Sequence, residues 1–262
     1  MTATDAFRAG RLAEATELQL AAVKADPADH GKRIFLFELA AFAGDWDRAR
    51  RQIDAVKYDD PEFQRATDQY RRLLDAEDAR RKLFSDGVQP SFLADPPEDV
   101  AYRLDAVRKF RDGKPAEAAA ILAEANEKLA ELTGTLNGEA FTGLRDADDL
   151  FAGVLEVLAK GSYFWVPLAQ VESVTSTPPR FPRDTIWLPA KLATTVGESG
   201  DVFLPALYPR SSAHADDAVR LGRATDWDES AGFARGAGLR TLFVGENEMA
   251  VLSLRELVLQ VM

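Results

Sequence analysis

Two different hydrophobic periods run along this chain, and they change over near residue 140. Up to that point apolar residues recur at helical spacing, in segments broken by Gly, Asp-Pro or Pro-rich stretches. The pattern predicts helices near 2–9, 12–25, 29–42, 46–57, 61–84, 98–111 and 115–132. Residues 85–97 carry Gly87, Pro90, Pro96 and Pro97 and read as a loop. Beyond residue 140 the runs become short, β-branched and aromatic. Val154–Leu158 and 163–166 flank Lys160-Gly161, a hairpin signal. Residues 185–195 and 201–204 flank a second turn at 196–200, and residues 240–244 and 249–254 flank a third at 245–248. Residues 167–171 suit one helical turn. Pro189, Pro205 and Pro209 are then expected at strand ends, bulges or edges, where no ladder N–H is needed.

The helical half also repeats. Ala9-Gly10-Arg11-Leu12-Ala13-Glu14-Ala15 parallels Ala43-Gly44-Asp45-Trp46-Asp47-Arg48-Ala49, with a spacing of 34 residues. Asp26-Pro27 and Asp60-Pro61 share that spacing. A third copy begins at Arg111-Asp112-Gly113, 69 residues beyond the second. A period of 34 is the tetratricopeptide length. Gly tolerates the left-handed conformation that ends a helix, and Pro is accepted at a first helical position. A helix pair of this kind buries its apolar face only by stacking on neighbours. The full tetratricopeptide pattern is incomplete, so the reading is TPR-like; the plainer alternative is a helical bundle with chance Gly spacing.

Composition narrows the chemistry. The 262 residues carry 32 Lys+Arg, 43 Asp+Glu, no Cys and two His, His30 and His214, for a net charge of −11. There is no thiolate metal site, thiol nucleophile, disulfide framework or three-His metal site. Acidity disfavours nucleic acid. Residues 1–140 hold 21 basic and 27 acidic residues, and residues 141–262 hold 11 and 16, so neither half is a basic arm. The N-terminus lacks a signal-peptide pattern, and the apolar run 251–262 is interrupted by Arg255 and Glu256. The expected location is the cytoplasm, with no membrane partner.

Several constellations bear on chemistry. Gly236-Ala237-Gly238 begins like a dinucleotide loop but lacks the third Gly and precedes a strand. Asp146, Asp148 and Asp149 open like a calcium loop, yet Phe151 stands where Gly is required and Val157 where Glu is; turn capping is the plainer reading. Residues 212–229 hold His214, Asp216, Asp217, Arg220, Arg223, Asp226, Asp228 and Glu229. They suit a hard metal or an acid/base pair, or a loop held by Arg–carboxylate pairs. Trp165, Trp187 and Trp227 suit a sheet core or a binding surface.

The second half resembles the ImpE family, also called SciE-type virulence proteins. The likeness runs in order through Asn137-Gly138-Glu139-Ala140-Phe141, Leu144-Arg145-Asp146-Ala147-Asp148-Asp149, Leu155-Glu156-Val157-Leu158 and Gly161-Ser162-Tyr163-Phe164-Trp165-Val166-Pro167. It continues through Arg183-Asp184-Thr185-Ile186-Trp187, Phe203-Leu204-Pro205-Ala206-Leu207-Tyr208-Pro209, Asp216-Asp217, Leu221-Gly222-Arg223-Ala224-Thr225-Asp226-Trp227 and Leu242-Phe243-Val244-Gly245. Ser162 and Leu168 depart from the pattern, which usually has Arg at the first and often an aromatic residue at the second. The resemblance implies an accessory protein of a bacterial type VI secretion system with no known enzymatic activity. It implies a partner in the contractile sheath, an N-terminal helical segment of the small sheath subunit, and an influence on handling by the AAA+ disassembly ATPase.

The expectation is therefore a two-part α+β protein. A TPR-like all-α superhelix over residues 1–135 precedes an antiparallel β-rich module over 136–262. Neither catalytic, cofactor nor metal residues are assigned. The motif residues expected to hold the module together or meet the partner are Asp146, Asp148, Asp149, Tyr163, Trp165, Pro167, Trp187, Pro205, Tyr208, Pro209, Asp217, Arg220, Gly222, Arg223, Thr225, Asp226 and Trp227. They are expected to frame a groove around the 201–229 loop. Two other classes remain open: a metal-dependent hydrolase using His214, Asp216, Asp217 and Asp226, and a TPR-like peptide-binding protein unrelated to secretion.

Overall fold

A computed structural model describes residues 1–260. Seven helices come first: α1 Ala3–Arg8, α2 Leu12–Ala25, α3 His30–Phe42, α4 Trp46–Asp54, α5 Pro61–Ser85, α6 Glu98–Arg111 and α7 Pro115–Glu127. The three repeated glycines all close helices. Gly10, Gly44 and Gly113 have φ of 78, 71 and 75°, and end α1, α3 and α6. In each case the next residue's N–H reaches back five positions in the same way, Arg11 to the Ala6 carbonyl, Asp45 to Ala40 and Lys114 to Lys109. This is the Schellman cap. It yields three helical hairpins, α1/α2, α3/α4 and α6/α7, with the long α5 between the second and third. Asp29, Asp45 and Asp60 cap α3, α4 and α5 through their side chains, and Pro61 takes a first-turn position.

The strands follow: β1 Thr133–Leu136, β2 Glu139–Thr142, β3 Leu144–Asp146, β4 Val154–Ala159, β5 Ser162–Pro167, β6 Val171–Ser176, β7 Trp187–Thr194, β8 Ser199–Pro205, β9 Thr225–Asp228, β10 Arg235–Gly238, β11 Thr241–Val244, β12 Asn247–Ala250 and β13 Glu256–Leu259. The short helix α8 covers Asp217–Arg220. Eight strands form one antiparallel sheet in the order β2-β1-β13-β6-β7-β8-β4-β5. The three expected hairpins are β4/β5, β7/β8 and β11/β12. The first turn is as expected; the second and third are shorter, because β8 starts at Ser199 and β12 at Asn247. One 3₁₀ turn spans Leu168–Gln170, as expected.

Other boundaries move. The helix expected over 115–132 stops at Glu127, and a further hairpin, β1/β2, follows it. Its turn is Asn137-Gly138, both with positive φ (52 and 88°), the pair that a two-residue hairpin prefers. β13 comes from the 251–262 run and inserts between β1 and β6; the last two positions of that run lie outside the described residues. Pro189 sits inside β7 rather than at an end. The β6–β7 pairing stops at Ala190, so Pro189 costs no bond on that side.

The sheet has two cores. Val154, Leu158, Tyr163, Trp165, Trp187 and Phe203 join helical residues such as Phe37, Leu73 and Ala76 in one cluster. Leu155, Val157, Leu188 and Leu204 belong to a second cluster with Leu242 and Val244 of the small sheet β12-β11-β3. Alternation along β4 therefore buries both faces, and every residue from Val154 to Leu158 is buried. On the helix-facing side, between Val154 and Leu158, stands Glu156.

Candidate functional site

Glu156 is 2% exposed, and an isolated buried carboxylate is expensive. Two arginines meet it. Arg80 from α5 donates Nε to Oε1 at 2.8 Å and Nη2 to Oε2 at 3.0 Å. Arg240 donates Nη2 to Oε2 and Nη1 to Asp146 Oδ2. Arg240 Nε donates to the Pro205 carbonyl at 3.1 Å, and Arg80 Nη2 to the Leu207 carbonyl at 2.9 Å. The two guanidiniums hold Glu156 below its ordinary range in spite of burial.

Aromatic residues complete this network. The Tyr163 hydroxyl donates to Glu156 Oε1 at 2.5 Å, and Trp165 Nε1 donates to that hydroxyl at 2.5 Å. Trp187 Nε1 donates to Glu77 Oε2 at 2.9 Å, and Glu77 also pairs with Arg80. The Tyr208 hydroxyl donates to Asp146 Oδ1 at 2.7 Å. Burial pushes both tyrosine hydroxyls up, with a neighbouring carboxylate adding to it. The Arg240 guanidinium lies 4.8 Å from the Phe151 ring and 4.9 Å from the Tyr208 ring. Five of the motif residues, Asp146, Tyr163, Trp165, Trp187 and Tyr208, are thus in or on a single buried ion network between α5 and the sheet.

The rest of the acidic triplet ties loops. Asp148 accepts from the N–H groups of Leu150 and Gly236, both at 2.9 Å; burial and the nearby Asp146 push its carboxyl up to about 7. Asp149 accepts from the Ala234 N–H at 2.7 Å and pairs with Arg145. Buried Arg103 of α6 donates to the Asp149 carbonyl and to Asn126.

The 212–229 residues face the first helices. Asp217 Oδ2 accepts from the Leu12 N–H at 2.8 Å, where the α2 N-cap, Arg11, offers no side-chain acceptor; its Oδ1 pairs with Arg220. Arg223 donates to the Phe7 and Arg8 carbonyls at 2.7 and 3.0 Å. Thr225 donates to the Leu239 carbonyl at 2.6 Å. Gly222 has φ +67°, and a Cβ there would lie 2.6 Å from Leu207. Asp226 lies 3.1 Å from His214 Nε2. Among the described residues no group of three or more His, Asp and Glu gathers as a metal site.

The tryptophans split. Trp165 and Trp187 are core, whereas Trp227 on β9 is 38% exposed, edge-on to Tyr208 at 5.7 Å. Pro167 ends β5 and Pro205 ends β8. Pro209 and Asp148 line an open groove of about 500 Å³ between α5, α6 and β10, to which the 201–229 segment contributes Pro209 and Arg210. Arg80, Glu77, Arg103 and Arg240 carry no sequence signal for this network, since the partners that join helix to sheet (Glu156, Trp187, Asp149 and Asp146) lie far along the chain. Glu156 does carry one: a lone carboxylate inside an apolar strand run.

A helical array joined to an antiparallel sheet through a shared core and a buried ion network defines a two-part α+β protein. The match to the ImpE protein family model covers residues 138–258. The type VI secretion system accessory component TagJ of Pseudomonas aeruginosa is 34% identical over 257 residues, spanning 98% of this chain and 90% of that protein. The chain belongs to the ImpE family. A crystal structure of a Vibrio parahaemolyticus protein has the same fold, with a TM-score of 0.89 and 26% identity over 98% of this chain and 97% of that one.

Proposed function

We propose that this protein is a non-enzymatic accessory protein of a type VI secretion system, working in the cytoplasm as an adaptor. One observation carries the reading: the likeness to a protein named as such a component runs through both the helical and the β-rich parts. No helix among the described residues is long and apolar enough to cross a membrane, which is compatible with that setting. The partner is a contractile-sheath component, an N-terminal helical segment of the small sheath subunit. Through it the protein modulates sheath handling by the AAA+ disassembly ATPase. An array of helical hairpins is a surface that accepts such a segment. Regions 1–135 and 136–262 act as one body through their shared core. The test is titration of the full chain with a peptide from the sheath subunit's N-terminus. Saturable binding tighter than tens of micromolar is expected. A flat titration removes the sheath partner, and stoichiometric divalent metal held by Asp217 or Asp226 would favour an enzyme instead.

A further inference from the structure

The groove between α5, α6 and β10 has an apolar floor and a cationic rim. Phe84, Phe110 and Phe151 are among the residues that line it, and so are Arg81, Arg111, Arg210 and Arg235. Three of these arginines have a carboxylate outside the groove: Arg81 pairs with Asp78, Arg210 with Asp228, and Arg111 lies 3.4 Å from Asp112. Arg235 does not. Among the described residues it has no ion-pair or hydrogen-bond partner, although it is half-buried and lies 4.1 Å over the Phe110 ring. The acidic residue lining the groove is Asp148, whose two oxygens are already taken by the Leu150 and Gly236 N–H groups.

A guanidinium that is partly desolvated and left without an acceptor is costly unless something supplies one. Here it stands beside the partly buried Phe84 and Phe110, over a floor that includes the fully buried Phe151, in a chain whose net charge is −11. A cationic apolar groove on an otherwise acidic protein selects against basic partners and for acidic ones. We propose that this groove docks an acidic amphipathic segment of a partner protein. Its carboxylates pair with Arg235 and Arg210, and its apolar side chains cover the accessible parts of Phe84 and Phe110. The proposal rests on the accessory role argued above and gives it a place on the molecule.

The test uses the full chain and two synthetic amphipathic peptides of about 15 residues, enough for a few helical turns. They share one apolar stripe and carry either Glu or Lys on its flanks. Fluorescence anisotropy should show the Glu peptide binding at least about tenfold more tightly than the Lys peptide, with an affinity that falls as salt rises. Arg235→Glu should weaken the Glu peptide about tenfold or more with the melting temperature unchanged. Arg210→Glu should act in the same direction, and Arg235→Gln replaces the reversal should that variant fail to fold. Equal binding of the two peptides, or an unchanged affinity in the Arg235 variants, overturns the proposal. So does a dimer of the protein alone that Arg235→Glu dissociates, because a second copy would then be the occupant. The sheath-subunit peptide separates the two readings. If it binds Arg235→Glu as it binds the parent, the adaptor role stands and the groove falls. If it binds neither while the Glu peptide depends on Arg235, the groove stands and the sheath partner falls.

Discussion

Arg80 on α5 and Glu156 on β4 stand 76 positions apart and meet in a two-pronged ion pair, at 2.8 and 3.0 Å, with both side chains almost fully buried. The bond ties the helical array to the sheet at one point. It is surrounded by partners, since Arg240, Tyr163 and Glu77 also bond to one or other member. Removing Glu156 strands two guanidiniums and a hydroxyl. Taking one partner from a buried pair costs about 3–5 kcal/mol. Glu156→Ala should therefore lose stability on that scale in urea unfolding. A loss below about 1 kcal/mol, the range of surface pairs, would show that water replaces the network.

Two neighbouring residues of the 212–229 segment should behave differently. Arg223 satisfies two carbonyls at the end of α1, and Arg223→Ala should cost about 1 kcal/mol, read as a lower melting temperature. Asp226 is largely exposed and faces only His214, so Asp226→Ala should change stability by less than about 0.5 kcal/mol. Equal effects would contradict the assignment of Arg223 to the helix end.

Gly236 pairs with Trp227 across the β9/β10 hairpin and lies under Tyr208. A Cβ there would come within 2.3 Å of the Tyr208 ring. Gly236→Ala must push the ring, and with it the hydroxyl that bonds Asp146. Overpacking of this kind costs about 1–3 kcal/mol. Calorimetry of the variant should show it, and tyrosine fluorescence should change with it.

Glu38 on α3 is 3% exposed, and burial pushes its carboxyl up to about 7 even though Arg183 pairs with it. The ordinary value is 4.5, so the folded state favours the protonated form. That contribution is complete below about pH 4.5 and is lost as pH rises through 7, at up to about 1.4 kcal/mol per pH unit. Glu38→Gln keeps an acceptor for Arg183 and cannot ionise. Its stability relative to the parent should improve between pH 5 and pH 8, measured as melting temperatures. A constant difference over that interval would place the titration elsewhere.

Much of the helical half is legible in the residues, because its signals are local. Gly10, Gly44 and Gly113 each close a helix with positive φ, and Asp29, Asp45 and Asp60 cap α3, α4 and α5 from the position just before each helix. The hairpins β4/β5, β7/β8 and β11/β12 are equally local. The ends of helices 46–57 and 115–132 are less so, since tertiary contacts decide where a helix frays. Asn137-Gly138 was a readable turn that the helical pattern beside it obscured.

The order of the sheet was not legible. Nothing in Glu256–Leu259 says that it will lie between β1 and β6. The candidate site divides in the same way. The residues alone marked Asp146, Tyr163, Trp165, Trp187 and Tyr208 as belonging together in the family pattern. Only the tertiary structure joined them to Arg80 and Arg240, and only it set Arg235 over Phe110. The physical reason is range. Caps, turns and alternation act over a handful of bonds and leave their mark in composition. An ion network forms where chain segments far apart in sequence converge, and its energy depends on burial that no single segment possesses.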